Sequence, residues 1–473
     1  MRTEVSRAES EKFHEECGVF GIYAPGSDVT QLTYYALYAL QHRGQESAGI
    51  AVSDGKVIRC EKGVGLVAEV FQETEKLEQL QGKAAVGHVR YARSNEELLI
   101  NAQPLLVRYR NGHLAIVHNG NLINRYRLRS QLERKGSIFQ AGTDSEVLAH
   151  LIAHSGEDEI IRAIKKSLLY LRGAYTYIVM TPEKMVGIRD PYGIRPLSLG
   201  KMANGYVLSS ETCAFDTVGA EFVRDIEPGE LIIIDKNGLQ SERFAPPKRQ
   251  ALCVFEYIYF ARPDSNIHGR NVHLVRKRLG RRLAQEHPVE ADMVTGVPDS
   301  SLSAASGVAE QLGLPYEMGF VKNRYIGRTF IQPSPEIRAL GVQLKLNAVR
   351  QIVEGKRVVM VDDSIVRGTT SMRIVKMLRH AGAKEVHVLV TSPPVVAPCY
   401  YGINTPARDE LIAARMGVEE IRRAIDADYL GFLSEEGMLE CLNLSKDGFC
   451  TACFNGRYPI ALDDFALDKE RRG

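Results

Sequence analysis

Apolar residues fall into two different rhythms along this chain. After a polar leader, MRTEVSRAESEKFHEE, residues 17–23 (CGVFGIY) read as a strand. A helix is predicted next, because Leu32, Tyr35, Ala36, Ala39 and Leu40 recur at helical spacing until His42-Arg43-Gly44. Two apolar runs between Gly49 and Cys60 flank Asp54-Gly55, a hairpin signal. Strand-like runs return at residues 84–86, 114–117 and 176–180. Thr143 followed by Glu146 fits a capping box opening a helix through Val147, Leu148 and Leu151. Strands grouped apart from helices predict a layered α+β domain ending near Pro246-Pro247.

Beyond that proline pair the rhythm becomes strand, turn, helix, strand. Residues 357–361 (RVVMV) form a continuous apolar run, as expected of a parallel strand buried on both faces. A polar turn leads to a helix with Ile374, Val375 and Leu378, closed by Gly382, and residues 386–390 supply the next strand. Such a βαβ unit places ligands at the carboxyl ends of its strands. The last fifty residues show little strand signal and read as helices and loops packed on the second domain. The expected division is a leader at 1–16, an α+β domain at 17–247, an α/β domain with a parallel sheet at 248–420, and an extension at 421–473.

Composition narrows the function. A chain of 473 residues is too long for one ordinary core. Its formal charge of +2 excludes a strongly basic nucleic-acid coat, so an anionic ligand must be held by local groups. No run of eighteen apolar residues marks a membrane span, and the leader lacks the apolar stretch of a signal peptide. Eight cysteines without an export signal point to thiol or metal chemistry in the cytoplasm rather than a disulfide framework.

A lone cysteine is commonly a buried small hydrophobe. Cys17, however, opens the first strand directly after a dispensable leader. Removing the leader would set an α-amine, titrating at about pH 7.7–8.0, beside the thiol as its base. Downstream lie QHRGQESAGI (41–50), GHVRYA (87–92), HNGNL (118–122) and GTDSE (142–146). Each has a bland reading. HNGN could be a tight turn after a strand, Arg43 could satisfy carbonyls at a helix end, and Asp144 could serve only a helix dipole. Taken in this order, the five motifs resemble class II glutamine amidotransferases, which are amino-terminal-nucleophile hydrolases. The resemblance implies that Cys17 attacks the glutamine amide, forming a thioester and releasing ammonia. It assigns the oxyanion hole to Asn119 and the backbone of Gly120, the pocket and substrate carboxylate to Arg43 and Arg90, and the substrate α-amine to Asp144. After GHVRYA the family shows threonine and soon a glycine, whereas this chain has Arg93-Ser94-Asn95-Glu96-Glu97, a departure that falls on the glutamine pocket.

Residues 358–371 read VVMVDDSIVRGTTS. A buried strand thus delivers Asp362 and Asp363, followed by a loop of Ser364, Arg367, Gly368, Thr369, Thr370 and Ser371 that opens a helix. Backbone N–H groups and hydroxyls at a helix N-terminus suit a phosphate, and paired carboxylates can accept from ribose hydroxyls and position magnesium. An N-cap with a turn is the plain alternative, but two consecutive acids ending an apolar strand are costly unless they face a ligand cleft. The segment resembles the phosphoribosyl pyrophosphate (PRPP) signature of type I phosphoribosyltransferases. By that resemblance the loop Gly296-Val297-Pro298-Asp299-Ser300-Ser301 meets pyrophosphate, with Ser300, Asp362 and Asp363 linked to magnesium. KNRYIGRTFI (322–331) resembles a loop that closes over PRPP, its Lys322, Arg324 and Arg328 neutralising pyrophosphate and Tyr325 excluding water; Lys345 and PSPEIR (333–338) also match.

Cys450-Thr451-Ala452-Cys453 alone is open between redox, zinc and iron–sulfur readings. The amino- and carboxyl-terminal motifs together resemble the amidophosphoribosyltransferase family. Its iron–sulfur type carries a 4Fe–4S cluster on cysteines matching Cys253, Cys399, Cys450 and Cys453, which leaves Cys60, Cys213 and Cys441 as structural. The resemblance implies conversion of PRPP, glutamine and water to 5-phosphoribosylamine, glutamate and pyrophosphate in the first committed step of purine synthesis. Feedback by purine nucleotides, a homotetramer and an apolar ammonia channel come with it. Two rivals remain. An amidotransferase feeding a sugar phosphate would lack VVMVDDSIVRGTTS, and a PRPP-sensing regulator would need neither a terminal cysteine nor KNRYIGRTFI.

Overall fold

Side-chain alternation along the strand Gly18–Tyr23 sets the layers of the first half. Phe20 and Ile22 face one apolar cluster with the helix Val29–Ala39, while Val19 and Tyr23 face a second cluster between two sheets. A half-turn of period two therefore feeds two cores from one strand. The computed structural model describes residues 17–91, 99–323, 346–442 and 448–462.

The first sheet runs, in spatial order, Glu221–Asp225, Ser198–Met202, Gly205–Ser209, Gly18–Tyr23, Ala84–Arg90, Ser47–Ser53 and Ile58–Val64. The second runs Gly238–Arg243, Glu230–Asp235, Met185–Arg189, Gly173–Met180, Gly112–Leu122 and Leu105–Tyr109. Every pairing in both sheets is antiparallel. The sheets stack face to face through Val86, Ala115, Val117, Ile178 and Met185, among others. Helices Arg125–Arg134, Asp144–Ala153 and Ile160–Leu168 cover the outer face of the second sheet. This is the expected layered αββα domain, and its last strand ends at Arg243, just before Pro246-Pro247.

One local expectation gains detail and one changes. The hairpin at Asp54-Gly55 has a four-residue loop, since Ser53 pairs with Ile58, and the Asp54 carboxylate accepts from the N–H groups of Lys56 and Val57. Thr143 is the N-cap of its helix, but no capping box forms: the buried Glu146 carboxylate accepts instead from Gln140 N and Ala141 N, both at 2.7 Å. Those two N–H groups belong to the incoming chain, which the carboxylate pins instead of the cap residue.

In the second half a four-stranded parallel sheet runs Met293–Gly296, Arg357–Asp362, Glu385–Val390 and Tyr429–Phe432. Val358 and Met360 face the helix Thr369–His380, and Val359 and Val361 face the helices Val272–Glu286 and Leu302–Leu312. Burial on both faces explains the unbroken apolar run. The edge strand Tyr429–Phe432 lies beyond residue 420, so the second domain does not end where the sequence reading placed it. Four residues with a central glycine carry too little β signal to stand out.

Candidate active site

Cys17 leads into a strand that pairs Gly18 with Val89, which sets Cys17 beside Arg90. The residue is partly exposed, yet desolvation raises its thiol above the ordinary value, against the opposing pull of the Tyr91 N–H and the Arg90 guanidinium. A thiol held neutral needs a base to become a nucleophile. Arg90 Nη1 is buried with no protein partner. A desolvated cationic donor left unmatched is costly, and an anionic ligand would remove that cost.

HNGN is not a turn. His118 to Leu122 continue the strand Gly112–Leu122 and stay paired as far as Leu122 opposite Gly173. Gly120 has φ of 130°, and a Cβ there would lie 2.1 Å from the Ala174 carbonyl oxygen, so only glycine fits. Asn119 is completely buried, and neither its Oδ1 nor its Nδ2 meets a protein partner. Asp144 does more than serve a dipole: its Oδ2 accepts from Leu122 N at 2.7 Å, and Arg125 Nη1 lies 3.7 Å from Oδ1. His88 Nε2 sits 3.0 Å from the His118 carbonyl oxygen, tying the strand that ends in Arg90 to the strand that carries Asn119.

Arg43 departs from its expected role. Its guanidinium is fully buried, with Nη1 2.6 Å from Glu211 Oε1 and Nη2 2.9 Å from Glu256 Oε1. Its Nε donates to the Cys17 carbonyl at 3.4 Å. Protein acceptors thus take the donors that a substrate carboxylate would need, and Arg43 steadies the main chain at Cys17. Glu211 accepts further bonds from His42 (2.7 Å), Ser265 (2.7 Å) and the Arg262 N–H (2.9 Å). Glu256, from the second half, also faces Arg195 at 3.6 Å. Sequence reasoning missed this cluster because its members lie 168 and 213 residues from Arg43. One signal was available: Glu256 interrupts the apolar run VFEYIYF, where an unpaired charge would be costly.

In the second half Asp362 ends its strand and Asp363 follows it, both buried, and the neighbouring loop closes on them. Ser300 Oγ and Ser364 Oγ each donate to Asp363 at 2.6 Å, and Ser301 Oγ donates to Asp362 at 3.4 Å. The Gly296–Ser301 loop and the double-aspartate loop are therefore one site. Gly368 holds φ of 82° at the N-cap of Thr369–His380, and a Cβ there would meet Ile412 Cδ1 at 2.7 Å. Thr369 Oγ1 is buried without a protein partner, and Thr370 and Ser371 follow in the same first turn. Arg367 differs from expectation in that Glu410 holds its guanidinium, at 3.1 Å from Nε. Lys322 Nζ donates to Asp299 at 2.5 Å, on the pyrophosphate-loop side. Arg324, Tyr325, Arg328, Lys345 and residues 333–338 lie outside the described residues, as do the leader and residues 93–97.

Cys253, Cys399, Cys450 and Cys453 line one cavity with Tyr401, Ile403 and Tyr458. Leu252–Cys253 pairs in parallel with Phe449–Cys450, which puts Cys253 directly opposite Cys450. Among the described residues no three His, Cys, Asp or Glu side chains stand close enough to hold an ion as placed. Burial pushes the Cys253 and Cys450 thiols up to about 12 and raises the Cys453 thiol well above its ordinary value, with the neighbouring cysteines adding to the effect. A redox CxxC pair needs an accessible thiolate, so this environment argues against the redox reading. The cavity is wired to the first half: Asn121 Nδ2 donates to Tyr400 O at 2.9 Å, and Arg195 Nη2 to Tyr401 O at 2.9 Å.

Among the described residues no helix is long and apolar enough to cross a membrane. Comparison with known proteins agrees with both halves of this geometry. A glutamine amidotransferase domain model matches residues 88–217, and a phosphoribosyl transferase domain model matches residues 270–393. Amidophosphoribosyltransferase of Bacillus subtilis (strain 168) is 57% identical, with 96% of each chain covered. That of Archaeoglobus fulgidus is 49% identical over 94% of this chain and 98% of its own. The solved structure of glutamine PRPP amidotransferase from B. subtilis, complexed with ADP and GMP, superposes with a TM-score of 0.89 at 57% identity, covering 94% of this chain and 98% of that one. With nearly its whole length matched at this identity, and with both half-sites in place, the chain belongs to the amidophosphoribosyltransferase family.

Proposed function

We propose a division of labour in which residues of the first domain release ammonia from glutamine and residues of the second add it to PRPP. The observation that carries the first half is the buried Asn119 carboxamide with no protein partner, next to Gly120 and in the strand tied to the Arg90 strand. Once the leader is removed, the α-amine of Cys17 takes the thiol proton and Sγ attacks the amide carbon. Asn119 Nδ2 and the Gly120 N–H donate to the oxyanion, and removing one such donor typically costs about 10²–10³ in rate. Arg90 pairs with the substrate carboxylate and Asp144 with its α-amine. The α-ammonium of Cys17 then protonates the leaving nitrogen, and water cleaves the thioester to glutamate.

In the second half the Asp362 and Asp363 carboxylates accept from the ribose hydroxyls, and the first turn of Thr369–His380 holds the 5′-phosphate through N–H groups and hydroxyls. Lys322, with Arg324 and Arg328, balances the pyrophosphate charge. Asp362, Asp363 and Ser300 would hold magnesium, which supplies charge neutralisation to pyrophosphate as it departs. Shielding from water matters here, because water competes with ammonia at C1.

The chemistry of the four-cysteine cavity fits a metal group: four thiols, those of Cys253 and Cys453 buried, line one cavity with largely apolar walls, and a bound cation would deprotonate them. We assign it to a 4Fe–4S cluster, which Cys253, Cys399, Cys450 and Cys453 would hold and which would supply a rigid cross-link among the chain segments that carry them. Purified under anaerobic conditions, the protein should contain about four irons and acid-labile sulfide per chain; stoichiometric zinc without sulfide would reject the assignment. A cytoplasmic homotetramer, with purine nucleotides as feedback inhibitors, completes the reading; the nucleotide complex of the B. subtilis relative supports the latter.

The two half-reactions should separate by mutation. In processed protein, Cys17→Ala should abolish glutamine use and retain synthesis from PRPP with high external ammonia. Asp362→Ala combined with Asp363→Ala should lose synthesis with either nitrogen source while basal glutaminase persists. A folded Cys17→Ala protein that is dead with ammonia would overturn this division.

A further inference from the structure

Asn119 and Thr176 sit directly opposite one another on the paired strands Gly112–Leu122 and Gly173–Met180. Alternation puts both on the face between the sheets, since Val117 and Ile178 on the same strands pack in the intersheet core while Ile116 and Tyr177 pack against the outer helices. Both residues are completely buried. Thr176 Oγ1, like both polar atoms of Asn119, has no protein partner. Directly paired side chains carry Cβ atoms about 4.5–5.5 Å apart, a separation that one rotamer change of each side chain can close to a hydrogen bond.

A carboxamide has two faces that sterics barely distinguish, because oxygen and NH2 have nearly the same size. Only one orientation aims Nδ2 at the developing oxyanion; the other presents Oδ1, which repels it. Something must bias the choice, and a hydroxyl can do so by donating to Oδ1. We propose that Thr176 is a positioning residue for the glutaminase: its hydroxyl donates to Asn119 Oδ1 as substrate binds, and this holds Nδ2 toward the oxyanion. The inference rests on Asn119 being the oxyanion donor. A buried hydroxyl left without a partner opposes folding, and this role accounts for its retention between the sheets.

The test uses processed full-length protein and four variants, with ammonia-dependent synthesis as the check of folding. Thr176→Val keeps the shape and removes the hydroxyl. It should lower glutaminase kcat roughly three- to tenfold, the size expected for one ordinary hydrogen bond, and leave KM for glutamine unchanged. Thr176→Ser restores the hydroxyl and should return kcat to within about twofold of the parent. If Thr176→Val does not fold, Thr176→Ala should show the same kcat loss. Asn119→Ala should cost far more, roughly a hundredfold. A full-rate Asn119→Ala protein would remove the reading on which this rests. A slow Asn119→Ala protein with full-rate Thr176→Val, or a Thr176→Ser protein as slow as Thr176→Val, would overturn the positioning role itself. A rise in KM at constant kcat would likewise reject it, in favour of a packing role.

Discussion

His88 and His118 are held neutral by burial, which pushes both down to about 3. An unfolded histidine titrates near 6.5, so between these values the unfolded chain binds protons that the folded chain refuses. Stability from this source is complete above about pH 6.5 and is lost as pH falls toward 3, at up to ~1.4 kcal/mol per pH unit for each histidine. His118→Phe keeps a ring against Tyr177, on which His118 stacks at 4.3 Å. Between pH 7 and pH 5 the variant should therefore lose about 2 kcal/mol less than the parent. Calorimetric Tm at both pH values checks this, and an equal drop in both proteins would refute it. At this scale Cys17, Arg90, Asn119 and the double aspartate could each be singled out from residue type and neighbours alone, and the roles given to them above are proposals. Arg43 was legible as important, but its partners were not.

The strand Gly112–Leu122 is the element on which the first site depends. It carries Asn119 and Gly120, ends on a bond to Asp144, and reaches the cysteine cavity through Asn121. Asn-Gly is a common turn pair, so local statistics favoured a break in this segment. Pairing with Gly173–Met180 overrode that preference, because the ladder satisfies backbone groups on both sides of Gly120. Gly120→Ala should consequently fail at this strand: the new Cβ would collide with the Ala174 carbonyl at 2.1 Å. Glutaminase should fall by roughly a hundredfold or more, since the displaced strand moves both groups proposed as oxyanion donors. Ammonia-dependent synthesis should survive in whatever protein folds; comparing the two assays on the same preparation decides the matter. The short strand Tyr429–Phe432 shows the converse error, an element whose existence came almost wholly from the neighbour it pairs with.

Across the whole molecule the two halves meet through charge as well as apolar packing. Glu256 from the second half lies between Arg43 and Arg195 of the first, all with fully buried side chains. Removing one member of a buried ion cluster leaves the others uncompensated, at about 3–5 kcal/mol. Glu256→Ala should therefore lower Tm markedly and resolve unfolding into two calorimetric transitions, one per domain. Glu256→Gln, which keeps the shape and some acceptor capacity, should do less. A single unshifted transition in Glu256→Ala would show that the interface does not depend on this cluster. The same interface includes Tyr400 and Tyr401 next to Cys399, so the cavity cysteines and the glutaminase strand are held in one network.

Short-range physics accounts for what could be read from the chain alone. Period-two and period-3.6 patterning marks the strands and helices, an apolar run marks a strand buried on both faces, and clustered motifs single out Cys17, the double aspartate and the loop that follows it as candidates. These depend on residues within about a dozen positions of one another. Tertiary structure alone decided that Arg43 would answer to Glu211 and Glu256, that Asn119 would face Thr176, and that a four-residue segment beyond 420 would complete the parallel sheet. Each of these joins groups far apart in sequence. Burial raises the cost of an unmatched charge or hydroxyl until a distant partner is required, and no local pattern names that partner.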